Sequence, residues 1–147
     1  MEKIKWCKKQ AKGIILIESN ENIAKSYIEK ADESLEMIEK ATQSWKVICS
    51  YYACYDSLYA LYMKAGIKCE IHECSLELMK LFNFEETDIE FLKQLKEDRI
   101  NVQYYVNQKI TVPDIKIVKS FILKIKEKIF NLNQTEINRI KEEIKKY

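Results

Sequence analysis

The segment Ser44–Gly66, SWKVICSYYACYDSLYALYMKAG, decides how the rest of the chain must fold. Between Lys46 and Lys64 it carries one charge, Asp56, while Val47, Ile48, Tyr51, Tyr52, Ala53, Tyr55, Leu58, Tyr59, Leu61, Tyr62 and Met63 occupy every angular position of a helix. A helix that is apolar all round must be covered on every side. The spacing therefore predicts a central helix, buried by neighbouring helices or by a second subunit. Ser44 suits its N-cap, and Gly66 suits the C′ position, where a left-handed residue ends a helix. No run without a charge is longer than the nine residues of Val47 to Tyr55, far too short to span a bilayer, so no membrane association is expected.

The flanking sequence supplies the cover. Asn20 or Asn22 can open a long helix whose apolar residues Ile23, Tyr27, Ala31, Leu35 and Ile38 recur every three or four positions. A loop near Ala41 to Gln43 ends it. Downstream of Gly66 a short helix is expected from about Glu73 to Phe82. The next opens at Thr87 and carries Leu92, Leu95, Arg99, Val102 and Val106 in one narrow seam. Pro113 suits the first turn of a further helix with Ile117, Phe121, Ile125 and Ile129 inward. Asn133 with Glu136 has the form of a capping box, and Leu132 with Ile137 that of a hydrophobic staple, so a separate last helix is expected. Residues 1–19 read as an N-terminal arm or short helix, 20–130 as the helical bundle and 131–147 as the C-terminal helix. The 147 residues contain two glycines and one proline, roughly 2% of the chain where about 12% is usual. That scarcity argues against tightly turned β folds and against glycine-rich phosphate loops, of which no pattern is present.

Charge is nearly balanced, with 25 basic and 23 acidic residues, which argues against a general polyanion-binding surface. It is unevenly spread: residues 1–12 and 114–147 are basic, whereas Gly66–Asp98 holds nine carboxylates against four lysines. Only Arg99 and Arg139 among the cations are arginine. The charged N-terminal stretch has no apolar core of the kind a secretory signal needs, so a cytoplasmic protein with reduced thiols at Cys7, Cys49, Cys54, Cys69 and Cys74 is expected.

Arg99 is the principal candidate for function. A guanidinium on an apolar seam is costly unless it meets an anion, so either a carboxylate, for instance Asp56, or a ligand phosphate should lie beside it. His72 is the only histidine and hence the only side chain that ordinarily titrates near neutrality; it either serves as a general base or caps and packs a helix start. Cys69, His72 and Cys74 form a C-x2-H-x-C cluster, but the second pair of a zinc site is missing, and no metal or cofactor is expected. Tyr104 and Tyr105 either stack on a base or pack at an interface.

Ser50-Tyr51-Tyr52-Ala53-Cys54-Tyr55, followed by Ala60-Leu61, Gly66-Ile67 and Ile71-His72, resembles the HEPN family (higher eukaryotes and prokaryotes nucleotide-binding). Arg99-Ile100-Asn101-Val102-Gln103-Tyr104-Tyr105 lies where that family carries its R-x4-6-H motif, and the resemblance runs from about Asn20 to Ile129. It implies an all-α, up-and-down bundle of about five helices, assembled as a homodimer whose motifs face one another. It also implies an RNA or nucleotide ligand met by Arg99, Asn101, Tyr104 and Tyr105, and a minimal nucleotidyltransferase as partner in a toxin–antitoxin-like pair. In ribonuclease members the arginine stabilises phosphoryl charge and the histidine helps activate the 2′-hydroxyl. Here no histidine follows Arg99, and Tyr104 stands at the earliest motif-histidine position. A phenol of pKa about 10 is a poor base at neutral pH. Positions five apart also lie roughly 140° apart around a helix, so Arg99 and Tyr104 of one chain do not share a face.

The expectation is thus an RNA- or nucleotide-associated module with weak or no catalysis. The alternatives are an active metal-independent endoribonuclease using Arg99 with Tyr104 or His72, and a purely structural helical interaction module.

Overall fold

The computed structural model describes residues 2–106 and 109–147. It is all-α: among the described residues 74% are helical, in seven α-helices and one 3-10 turn, with a single two-stranded ribbon. In order they are α1 (Glu2–Lys9), β1 (Ile15–Leu16), α2 (Glu21–Ile38), α3 (Gln43–Lys64), β2 (Ile67–Lys68), α4 (His72–Leu78) running into a 3-10 turn (Met79–Phe82), α5 (Glu86–Tyr104), α6 (Ile115–Asn131) and α7 (Gln134–Lys145). Among the described residues no helix is long and apolar enough to cross a membrane.

The central helix expected from its apolar surface is α3. Fourteen of its residues are buried, Tyr51, Leu58, Leu61 and Tyr62 almost completely. The cover comes from the chain itself, with α2, α5 and α6 all packed on it, so burial of this helix does not call for a second subunit. Ala24, Ala31 and Ile38, spaced by seven, are the buried residues of α2, and the two alanines let its backbone come close to α3. Ring packing of Tyr27 on Tyr59, with centroids 4.3 Å apart, closes the same interface.

Several boundaries and faces differ from the sequence expectation. α3 begins after Thr42, so Ser44 lies inside its first turn. The N-cap of α5 is Glu85 instead of Thr87: its side chain accepts from the Asp88 backbone N–H, and the Asp88 carboxylate accepts from the Glu85 N–H at 3.2 Å. Pro113 sits just outside α6, because the Asp114 side chain takes the cap by accepting from the Lys116 N–H at 2.9 Å. The inward face of α6 is Val118, Phe121, Ile122 and Ile125, while Ile117 points outward. The α5 seam holds through Leu92, Leu95 and Arg99, but Val106 lies beyond the helix and is exposed. Asn20 and Asn133 do cap α2 and α7, and Gly66 does follow the α3 C-cap with a positive φ of 74°.

Both readings of the N-terminal residues hold in part: α1 is a short helix, and β1 is an extended piece paired antiparallel with β2, Ile15 opposite Lys68 and Leu16 opposite Ile67. Neither end stands apart from the bundle. Ile4, Cys7 and Ile14 belong to the same core as α3, and so do Ile137, Ile140 and Ile144 of α7. The expectation of five free thiols is corrected here. Packing of α1 on α4 brings Cys7 and Cys74 to a Cα separation of 5.8 Å, and they form a disulfide; Cys49, Cys54 and Cys69 are free. The two partners are 67 positions apart in sequence, and nothing in their local context announces the contact.

Candidate functional site

Along α3, Trp45, the pair Ile48 and Cys49, Tyr52, Asp56 and Tyr59 follow one another at three or four residues and so form one stripe. That stripe is the floor of an open cleft of about 730 Å³. Tyr27 and Lys30 of α2 form one wall; Glu70, His72 and Gln103 with Lys12 form the other. Two features of this sequence build it: α3 is too aromatic to be covered flat, and Gly66 turns the chain so that His72 returns beside the middle of α3.

His72 is the first residue of α4. Its ring stacks on Tyr55 with centroids 4.0 Å apart, and its Nδ1 lies 2.5 Å from the Tyr51 hydroxyl. Burial holds the Tyr51 phenol well above its ordinary range, so the phenol keeps its proton in the hydrogen bond it shares with Nδ1. Burial, reinforced by the charges of Arg99 and Lys96, lowers the His72 pKa to about 4. At neutral pH the ring is therefore uncharged, with one nitrogen carrying a proton and the other a lone pair. Tyr51 engages Nδ1, which leaves Nε2 as the ring atom for a ligand, and the low pKa makes the ring a weak base.

Arg99 is 7% exposed at the end of the α5 seam. Its guanidinium lies over the Tyr51 ring at 4.8 Å and the Tyr52 ring at 5.6 Å. Nη1 donates to Gln103 Oε1 at 3.3 Å, while the buried Nε has no acceptor. Among the described residues no carboxylate pairs with it, so the alternative of an ion pair to Asp56 is not realised. A buried cation held by ring faces and one amide oxygen is under-compensated, and an incoming anion would relieve that cost.

The structure thus brings Arg99 and His72 together through Tyr51, a residue that sequence reasoning assigned to the core. The signal for it was the period of α3, which sets Tyr51, Tyr52 and Tyr55 within one turn, but only the placement of α4 and α5 shows which ring bridges them. Tyr104, 67% exposed, Tyr105 and Asn101 lie at the outer end of α5, with no hydrogen bond to Arg99 or His72 among the described residues. Cys69 and Cys74 form no metal-binding group with His72 there, since the Cys74 sulfur is bonded to Cys7. Asp56, which sequence reasoning weighed only as a partner for Arg99, instead lines the cleft with its pKa raised to about 6 by burial, against the opposing charge of Lys30. Comparison of the chain with models of known protein families and with curated proteins gives no match.

Proposed function

We propose that this protein is an RNA- or nucleotide-binding module of HEPN type with weak or no catalysis. The observation that carries the reading is Arg99: a buried guanidinium with an unsatisfied Nε, no carboxylate partner and an aromatic cleft beside it. The amines of Lys12 and Lys30 add donors for phosphate oxygens, and the aromatic rings add faces for bases. Weak catalysis is supported by the pKa of His72, lowered to about 4 by burial so that the ring is a weak base, and by Tyr104, which is no neutral-pH base. In this reading the protein acts as a homodimer, with the exposed Tyr104, Tyr105 and Val106 at the outer end of α5 as its apolar contact. Pairing with a minimal nucleotidyltransferase rests on the sequence resemblance alone.

The test is the affinity of wild type and Arg99→Gln for a short single-stranded RNA, measured by fluorescence anisotropy at several salt concentrations, with circular dichroism to confirm that both are folded. Loss of the guanidinium should weaken binding about tenfold at low salt, and the difference should shrink as salt rises. Equal affinities would sink the reading.

A second reading, an active metal-independent endoribonuclease, is favoured by one observation: His72 stands one phenol away from Arg99. RNA cleavage by wild type in the presence of chelator, lost in His72→Gln, would promote it.

A further inference from the structure

Asp56 has no role in phosphate binding, and the structure gives it no partner. Among the described residues no cation lies within ion-pair distance of its carboxylate and no donor hydrogen-bonds it, Lys30 acting only as a charge nearby, although it is half-buried. It stands one turn from Tyr52 on one side and from Tyr59 on the other, at the floor of the cleft. The rings around it are not equally free. Tyr59 is covered by Tyr27 and Tyr55 by His72, whereas among the described residues no ring is stacked on Trp45, which is 57% exposed, and the aromatic or cationic contacts of Tyr52 are with Tyr51, edge to face, and the guanidinium of Arg99. An open aromatic surface therefore runs along α3 from Trp45 to Tyr52 and ends at a lone carboxylate.

We infer that this part of the cleft is a guanine subsite, in which the base lies against Tyr52 and the Asp56 carboxylate accepts from its N1–H and N2–H2. The inference rests on the RNA- or nucleotide-binding reading and names the base that reading leaves open. An ionised carboxylate only accepts hydrogen bonds, through two oxygens. Guanine alone among the four bases presents two adjacent donors on one edge. Adenine and cytosine offer one amino group next to a ring-nitrogen acceptor, and uracil one N–H between two carbonyls that would repel the carboxylate. A cationic amine is a poorer occupant, because Lys12 and Lys30 line the same cleft. With a pKa of about 6, Asp56 is mostly ionised at pH 7 and able to accept both bonds.

The test is calorimetric titration of the full chain at pH 7 with guanosine, inosine and adenosine 5′-monophosphates. The guanosine nucleotide should bind about tenfold or more tightly than the adenosine nucleotide, the range of a bidentate base contact, with inosine, which lacks the 2-amino group, between them. Asp56→Asn presents one acceptor and one donor, so it should lose the guanine preference and shift toward adenine; circular dichroism establishes that it is folded. Equal binding of the three nucleotides by wild type overturns the subsite while leaving nucleotide binding standing. A guanine preference that survives in Asp56→Asn overturns the role of Asp56. No binding of any nucleotide at millimolar concentration overturns both this inference and the reading beneath it. Should Asp56→Asn not fold, the inosine comparison in wild type still decides, since a bidentate contact requires the 2-amino group.

Discussion

Tyr51 joins His72 to Arg99, through its hydroxyl on one side and its ring face on the other, and His72 and Asp56 in the cleft pull stability in opposite directions with pH. The pKa of His72 is depressed to about 4 by burial and by Arg99 and Lys96, so the folded state resists protonation that the unfolded chain accepts near 6.5. Its contribution is present above about 6.5 and is lost as pH falls toward 4. Asp56 behaves in the opposite sense. Its folded pKa, raised to about 6 by burial, lies above its ordinary value of 3.8, so its contribution is present below about 3.8 and is lost as pH rises through 6. Between pH 4 and 6 the two offset each other in the wild type. Denaturant unfolding across this range should therefore show a steeper acid loss of stability in Asp56→Asn, where His72 acts alone, and a shallower loss in His72→Gln. Parallel curves for the three proteins would show that neither group has the surroundings described.

Elements whose ends are set by local hydrogen bonding were the ones most legible in the sequence. Asn20 and Asn133 cap as expected because the short polar side chain of each reaches a backbone N–H three residues on. The start of α5 was misplaced because two acidic residues, Glu85 and Asp88, cap reciprocally where the sequence rule favoured Thr87. The faces of α6 were misread because Ile117 and Val118 both fit a helical period with Phe121, and only packing on α3 chooses between them. Of the site, Arg99 and His72 were legible as unusual residue types; Tyr51 and Asp56 were not, since their roles follow from which helices surround α3. Gly66 tests the same logic. Its φ is positive, and a Cβ there would lie 2.5 Å from the Ile17 carbonyl oxygen and 2.5 Å from Lys141 Nζ, which itself donates to that oxygen. Gly66→Ala should destabilise the protein by more than about 1 kcal/mol in denaturant unfolding, since left-handed strain adds to the displacement of the β1 end. A change within about 0.5 kcal/mol of wild type would show that this turn can relax.

At the scale of the whole molecule, the N-terminal segment is what fixes the wall of the cleft to the bundle. α1 buries Ile4 and Cys7, Lys3 pairs with Glu73 at 2.9 Å, the Glu70 N–H donates to the Lys12 carbonyl at 3.0 Å, and β1 pairs with β2. All these contacts converge on the stretch from Ile67 to Cys74, which contains His72. The exposed ion pair contributes little on its own, of order 0.5 kcal/mol; the apolar burial and the Cys7–Cys74 bond carry the attachment. Because the bond closes a loop between residues 67 positions apart, it removes chain entropy from the unfolded state worth about 4 kcal/mol. Two measurements follow from that placement. Protein denatured without reductant should titrate with a thiol reagent as three thiols per chain, rising to five after reduction. Under non-reducing conditions Cys7→Ser should lower the unfolding free energy by up to about 4 kcal/mol, and the gap between variant and wild type should narrow sharply once reductant is added, because the wild type then loses the same cross-link. Five thiols before reduction, or a gap unchanged by reductant, would show that α1 is held by packing alone.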